Sequence, residues 1–366
     1  MKISIARGEL LEALSVVSRG LSSRTTLPIL SGIHIATRGD SVIFQATDLE
    51  VSIRTSCKAR IEQAGESVLP GKLLTDVTRS LPEAAVTIDT TTTGVASVTC
   101  GQSSFSLKTL SAEDYPRFPE VDAEKTVSLP TDTFSHVVHQ VSRSVSRDET
   151  RPILTGILVA VEAGLLRMVA TDSYRLCVRE VPLSGALTEI ELVVPGKAME
   201  DVAKLIGSSE SVSLGVAENQ VIFTFGETTF VSRRIEGAFP NYRQLLPKEH
   251  TTRAVVDRIE FLEAVKRVSL MAQHNTPLRV KVSAADHTLT LSAATQDIGD
   301  ASEDIQVTPE GEDVEIAFNH AYLLDGISVA EDDTIALEVT SPLKPGVLRP
   351  TEGDGFTYLL MPVRLG

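Results

Sequence analysis

The stretch RTTLPILSGI, Arg24 to Ile33, returns as RPILTGI, Arg151 to Ile157, with Pro152 lying 124 residues after Pro28. A looser copy, TPLRVKV, runs from Thr276 to Val282 and places Pro277 another 125 residues on. Three further landmarks keep this order, two of them at the same offset and the last a few residues shorter. ATDLE (Ala46 to Glu50) is matched by ATDSY (Ala170 to Tyr174) and loosely by ATQD (Ala294 to Asp297). VLPGKLLTDV (Val68 to Val77) is matched by VVPGKAMEDV (Val193 to Val202), with AFNHAYLLD (Ala317 to Asp325) in the third place. DYPRFP (Asp114 to Pro119) pairs with GAFPNY (Gly237 to Tyr242). One match could be chance, but several at one offset are an internal repeat, and a repeat decides the architecture. The chain accordingly divides into thirds at 1–122, 123–248 and 249–366, with joints in polar stretches near Val121 to Thr126 and Lys248 to Thr252.

Within each third the hydrophobic spacing changes period. Leu10, Leu11, Leu14 and Val17, then Phe134, Val137, Val138, Val141 and Val145, then Phe261, Val265 and Val268 recur at helical intervals, which predicts that each third opens with a helix. Stretches such as SVIFQA, VSIRTS, VTID and FSLK alternate at period two and are rich in β-branched residues, as half-buried strands are. The Pro-Gly-Lys landmark predicts a second short helix with proline in its first turn. The expected fold class is α+β: three repeated domains of about 120 residues, each with two helices packed on antiparallel sheets.

At 366 residues the chain is long for one core, and 42% hydrophobic with 23% charged residues is a globular composition rather than a disordered one. A formal charge of −15 argues against a protein that coats nucleic acid with its whole surface, while leaving room for a locally basic face. Cys57, Cys100 and Cys177 are too scattered for a disulfide framework or a metal knuckle. The opening MKISIARGEL lacks the apolar run of about 7–15 residues that a secretory signal needs, so a cytoplasmic location is expected.

With three such units, the motifs ATDSYRL (Ala170 to Leu176) and FPNYR (Phe239 to Arg243), and the ending LMPVRL (Leu360 to Leu365), the sequence resembles the β subunits of bacterial DNA polymerase III, the replication sliding clamps, over essentially its whole length. The resemblance implies a non-enzymatic processivity factor. Two protomers would associate head to tail into a ring of six domains around duplex DNA, lined by helices and walled by sheets. A heterologous contact must close or run on as a filament, and closure after two copies is a stable solution. Phe105 and Leu107 would then face Leu270 and Met271 across the dimer joint.

Helices lining such a hole should offer cations to phosphate without reading bases. The candidates are Arg24, Lys72, Arg79, Arg143, Arg147, Arg151, Lys197, Lys204 and Arg279, with Arg19, Lys266 and Arg267 as further choices. On the helix of the second third, His136, His139, Arg143 and Arg147 fall opposite the apolar stripe. With 4% aromatic residues and no Trp, the chain is poorly supplied for stacking on single strands, so duplex is the expected form.

The resemblance also implies a hydrophobic pocket that docks short peptides of the polymerase α subunit, the clamp loader, other polymerases and repair proteins. Its residues would be Leu154, Thr171, Ser173, Tyr174, Arg175 and Leu176 from the second third, with Pro240 and Leu245 after it. Asn319, Tyr322, Leu359, Met361, Pro362, Val363 and Arg364 would come from the last third. An apolar tail is also an odd chain end unless it is ordered against the fold. Ser173-Tyr174, Gln244, Val363 and Gly366 depart from the family's common residues, and Pro152-Ile153 does so beside the loop arginine.

Other classes find less support. His136 and His139 lack an evident Glu or Cys partner for a metal, and no cofactor is expected. Asp48 and Asp172, each behind Ala-Thr, read as turn caps rather than as paired acids. No phosphate loop, dinucleotide fingerprint or nucleophile elbow occurs. An enzyme using Asp172, Tyr174 and Arg175 in a domain cleft, or a plain interaction scaffold, are the alternatives.

Overall fold

The computed structural model describes residues 1–22, 27–184, 188–272, 276–296, 298–353 and 355–364. Arg24 lies outside them. Among the described residues the α-helices are α1 (Arg7–Val17), α2 (Gly71–Ser80), α3 (Thr131–Ser142), α4 (Gly196–Leu205), α5 (Arg258–Val268) and α6 (His320–Val329). None is long and apolar enough to cross a membrane.

Each third opens with a strand, not with the expected helix. Ile3 and Ile5, Val127 and Leu129, and Ala254 and Val256 are buried at every second position of Lys2–Ala6, Lys125–Pro130 and Thr252–Asp257. That period-two pattern pairs into sheets before the helical stripe takes over. The stripes themselves are buried as expected, Leu10, Leu14 and Val17 on α1, Phe134, Val137, Val138 and Val141 on α3, and Phe261, Val265 and Val268 on α5. Pro70 ends the strand Glu66–Pro70 and caps α2 from outside, so it stands just before the first turn.

A second correction concerns α3, which stops at Ser142, so Arg143, Val145 and Arg147 follow the helix instead of continuing its face. Ser144 N donates to Val141 O at 3.0 Å and Val145 N to Ser142 O at 3.1 Å, after which Ser146 N turns to Leu154 O at 2.9 Å. Three serines in five residues, Ser142, Ser144 and Ser146, favour such a turn over another helical one.

The chain forms two compact units. The first, Met1–Phe134 with Asp201–Arg234, carries a five-stranded and an eight-stranded sheet; the second, Ser135–Glu200 with Ile235–Gly366, carries a nine-stranded and a four-stranded sheet. The pairings are antiparallel, as expected. Each large sheet crosses a joint between thirds. In the first unit Thr228–Arg233 pairs with Val51–Lys58, and in the second Phe356–Leu360 pairs with Arg175–Pro182 through Tyr358 and Cys177. Shared sheets are therefore why two compact units arise from three copies of a motif. Phe44, Phe134, Phe223 and Phe230 fill the first unit's core and Phe261, Phe318 and Tyr358 the second's, each fully buried and stabilising by about 2–3 kcal/mol relative to exposure.

Candidate functional site

The two ATD landmarks build one turn twice. Thr171 Oγ1 donates to Arg175 O at 2.7 Å, Asp172 Oδ1 accepts from Tyr174 N and Arg175 N at 2.9 Å each, and Ser173 sits at φ 79°. In the first unit Thr47 Oγ1 donates to Val51 O at 2.9 Å, Asp48 Oδ1 accepts from Glu50 N at 3.0 Å and Val51 N at 2.7 Å, and Leu49 sits at φ 77°. Left-handed backbone is costly for residues with a side chain, and the aspartates hold it by satisfying the amides that follow. Both aspartates are thus turn caps, as the sequence predicts.

In the second unit this turn borders an apolar floor of Leu158, Val169, Leu176, Val178, Val193, Tyr242, Val347 and Leu359, against which Ile153, Ile235, Phe239 and Leu246 pack. Of the expected pocket residues, Leu154, Thr171, Leu176 and Leu359 are buried. Leu245 and Met361 are about half-exposed, Val363 about one-third and Tyr174 60% exposed, an apolar surface that the fold itself leaves uncovered. Pro240, Ser173 and Arg364 are exposed, and Pro362 is half-buried. Asn319 caps α6, accepting from Ala321 N at 2.9 Å and Tyr322 N at 3.3 Å. The tail is ordered by Met361 N donating to Tyr174 O and Val363 N to Ala317 O, both at 2.8 Å.

One side of this surface is aromatic and held by a cation. Tyr174 stacks on Tyr322 with ring centroids 6.3 Å apart and planes at 25°, and the Arg175 guanidinium lies 4.4 Å from the Tyr322 centroid. Arg175 donates through Nε to Asp172 Oδ2 at 3.1 Å, and through Nη1 to Asp325 Oδ2 at 2.5 Å and Tyr358 Oη at 3.3 Å. Tyr358 Oη donates in turn to Tyr322 O at 2.9 Å. Burial by itself would lower the Arg175 pKa, but Tyr358, Asp325 and Asp172 outweigh it and raise it, so the charge is permanent. Burial also raises the phenol pKa of Tyr322 and of Tyr358. Beside the turn stands Arg151, whose Nη1 donates to Ser173 Oγ at 2.8 Å and whose Nε pairs with Asp148 at 3.0 Å.

The first unit has the same scaffold and no such floor. The places of Leu158, Val169, Leu176 and Val178, 124 residues earlier, hold His34, Gln45, Ser52 and Arg54. They share the register, since His34 pairs with Gln45 and Gln45 with Arg54, as Leu158 does with Val169 and Val169 with Val178. Onto this polar face the chain lays its own aromatics. Tyr115 stacks on His34 at 5.3 Å and donates to Gly32 O or Gln45 O, both at 3.3 Å, and the Arg54 guanidinium lies 4.3 Å from the Phe118 centroid.

The basic candidates scatter over helices, turns and one strand. Lys72 and Arg79 are exposed on α2, Lys197 and Lys204 on α4, and Arg147 in the turn after α3. Several guanidiniums already hold a carboxylate: Arg79 with Asp76 at 3.2 Å, Arg143 with Asp325 at 3.3 Å, and Arg279, on the strand Leu278–Ser283, with Glu315 at 3.2 Å. Arg19 pairs with Asp201 at 3.2 Å, Lys266 with Glu263 at 2.7 Å and Arg267 with Glu303 at 2.5 Å. His136 takes Glu331 at 2.8 Å. The exposed pairs among these, Arg79–Asp76, Lys266–Glu263 and Arg279–Glu315, are worth at most about 1 kcal/mol, so exchanging a carboxylate for a phosphate is cheap there.

Family models for the N-terminal, central and C-terminal domains of the DNA polymerase III beta subunit match residues 1–119, 128–241 and 243–364 in order. The beta sliding clamp of Streptomyces coelicolor is 38% identical over 379 residues, covering all of both chains. This chain belongs to the DNA polymerase III beta subunit family. The beta sliding clamp of Staphylococcus aureus is 32% identical over all of this chain and 99% of its own. Among solved structures, the DNA polymerase sliding clamp of Bacillus subtilis superposes with a TM-score of 0.95 at 31% identity, covering both chains fully. A sliding clamp from Pseudomonas aeruginosa bound to griselimycin does so at 0.95 and 28%, again over both whole chains.

For this beta subunit the expected dimer residues fall differently. Phe105, on Ser103–Lys108 at the edge of the five-stranded sheet, is about one-third exposed, while Leu107 is 5% exposed and turned into its own core. Leu270 is 78% exposed and Met271 half-buried after α5. The VPGK landmark includes both Asp201 and Asp325, 124 residues apart, but sequence reasoning missed the arginines that pair with them. It also missed Tyr358, whose role depends on strands that meet only in the folded chain.

Proposed function

We propose that the chain works as a DNA sliding clamp, the processivity factor of the replicative polymerase, in the cytoplasm and without catalysis of its own. Its clamp domains are residues 1–122, 123–248 and 249–366, and two protomers close head to tail into a ring around duplex DNA. Strand Ser103–Lys108 ends one sheet and Gly299–Gln306 ends another, and pairing between such edges across the joint would remove two open ladders. Phe105 and Leu270 are the apolar contacts best placed for it, with Leu107 and Met271 behind them. Acidic side chains collect at Asp300, Asp304, Glu310, Glu312, Asp313 and Glu315, on sheet and loop. The basic set Lys72, Arg79, Arg143, Arg147, Arg151, Lys197, Lys204 and Arg279, with Arg24, is assigned to the phosphate backbone.

The observation that carries the reading is the apolar floor with Tyr174, Leu245, Met361 and Val363 left uncovered around it. A short apolar peptide of the polymerase or clamp loader fits such a surface. Aromatic and thioether side chains adapt to varied partners, and Arg364 can meet a peptide carbonyl or carboxylate. Retention on DNA is the test. The loaded protein should stay on a nicked circle and leave once the circle is cut, and Arg143→Glu with Arg147→Glu should cut loading about tenfold or more. Equal retention on linear and circular duplex would refute the ring.

A further inference from the structure

We propose that Asp325 couples the duplex-facing side of the clamp to its peptide pocket, so that DNA held by Arg143 tightens the pocket for its ligand. The inference rests on the clamp reading and adds a regulation to it. Asp325 is one carboxylate shared by two arginines: Oδ1 accepts from Arg143 Nη1 at 3.3 Å and Oδ2 from Arg175 Nη1 at 2.5 Å. Arg143 is about half-exposed and free to turn to a phosphate, whereas the Arg175 side chain is 10% exposed and fixed over Tyr322. A phosphate that takes Arg143 leaves Asp325 to Arg175 alone. Arg175 then holds the Tyr322 ring, and the Tyr174 stacked on it, more firmly. A wall already held in one arrangement costs less to bind. By reciprocity, an occupied pocket strengthens duplex binding by the same factor.

The first unit supplies the contrast. Arg19 and Asp201 lie 124 residues before Arg143 and Asp325 and form the same ion pair at 3.2 Å. The place of Arg175, however, is taken by Val51. The tie is thus repeated in both units, while the place of Arg175 holds an arginine in the second unit and a valine in the first. Asp325 acts through Arg175 and is a positioning residue, not a contact of the ligand.

Griselimycin, which the solved sliding clamp of Pseudomonas aeruginosa holds, serves as the probe, titrated calorimetrically into the full chain alone and into the chain loaded on a nicked circle. Retention on the circle is followed on the same samples. The duplex should raise griselimycin affinity about two- to fivefold, the scale of a half-exposed ion pair. Arg143→Gln should show the raised affinity without DNA and no further rise with it. Unchanged affinity on adding bound duplex, or a full response in Arg143→Gln, overturns the coupling. Binding of griselimycin that survives deletion of residues 361–366 unchanged, or equal retention on linear and circular duplex, overturns the clamp reading with it.

Discussion

Asp48 and Leu49 show how a single position can be fixed by chemistry that local propensity opposes. Leucine at φ 77° is strained, and the two amides that Asp48 satisfies hold it there. Tyr115 offers the sharper test at this scale. Burial pushes its hydroxyl up to about 12 from an ordinary value of 10.0. A tyrosine whose pKa is higher in the folded state leaves stability flat below the unfolded value, and that stability is lost as pH rises from 10 to about 12. Tyr115→Phe should therefore flatten the alkaline fall of the thermal midpoint. Below pH 10 it should cost about 1 kcal/mol for the lost hydrogen bond to Gly32 O or Gln45 O. A mutant with the wild-type alkaline profile would remove Tyr115 as its source.

Among the elements, the contrast between the two units was legible in principle, because His34, Gln45, Ser52 and Arg54 against Leu158, Val169, Leu176 and Val178 is a difference of sequence at one offset. What the sequence did not disclose was that Tyr115 and Phe118 fold back to cover the polar version. The end of α3 was misread for a simpler reason. Val145 fits helical spacing, yet the serines around it and the Ser146 to Leu154 bond divert the chain. The tail carries this scale's prediction. Among the described residues, deleting 361–366 removes two backbone hydrogen bonds, Met361 to Tyr174 and Val363 to Ala317, and no strand. Urea unfolding should shift by no more than about 2 kcal/mol, while clamp-dependent primer extension should fall to the level of polymerase alone. Normal processivity after the deletion would discredit the pocket.

For the whole molecule the proposed ring makes a demand on mass. The 39.4 kDa chain should elute as a dimer, and Phe105→Asp combined with Leu270→Asp should return it to the monomer mass by light scattering with its circular dichroism unchanged. Carboxylates placed where apolar side chains meet lose hydration without gaining a partner, which costs several kcal/mol at a joint. A double mutant that remains dimeric would place the joint elsewhere. Leu107, almost wholly inside its own core, is the residue for which this interface expectation is weakest.

By itself the sequence determined the threefold repeat, through like motifs at a near-constant offset, and the α+β class, the buried helical stripes and the capped turns, which are written in periodicity or hydrogen bonding within about ten residues. Only the tertiary structure decided which repeated place stays open and which is covered. It also decided that large sheets run across the joints, and that Asp325 is shared between Arg143 and Arg175, 182 and 150 residues away in the chain. Such pairings depend on which strands and helices come to lie together, and local periodicity carries no record of that.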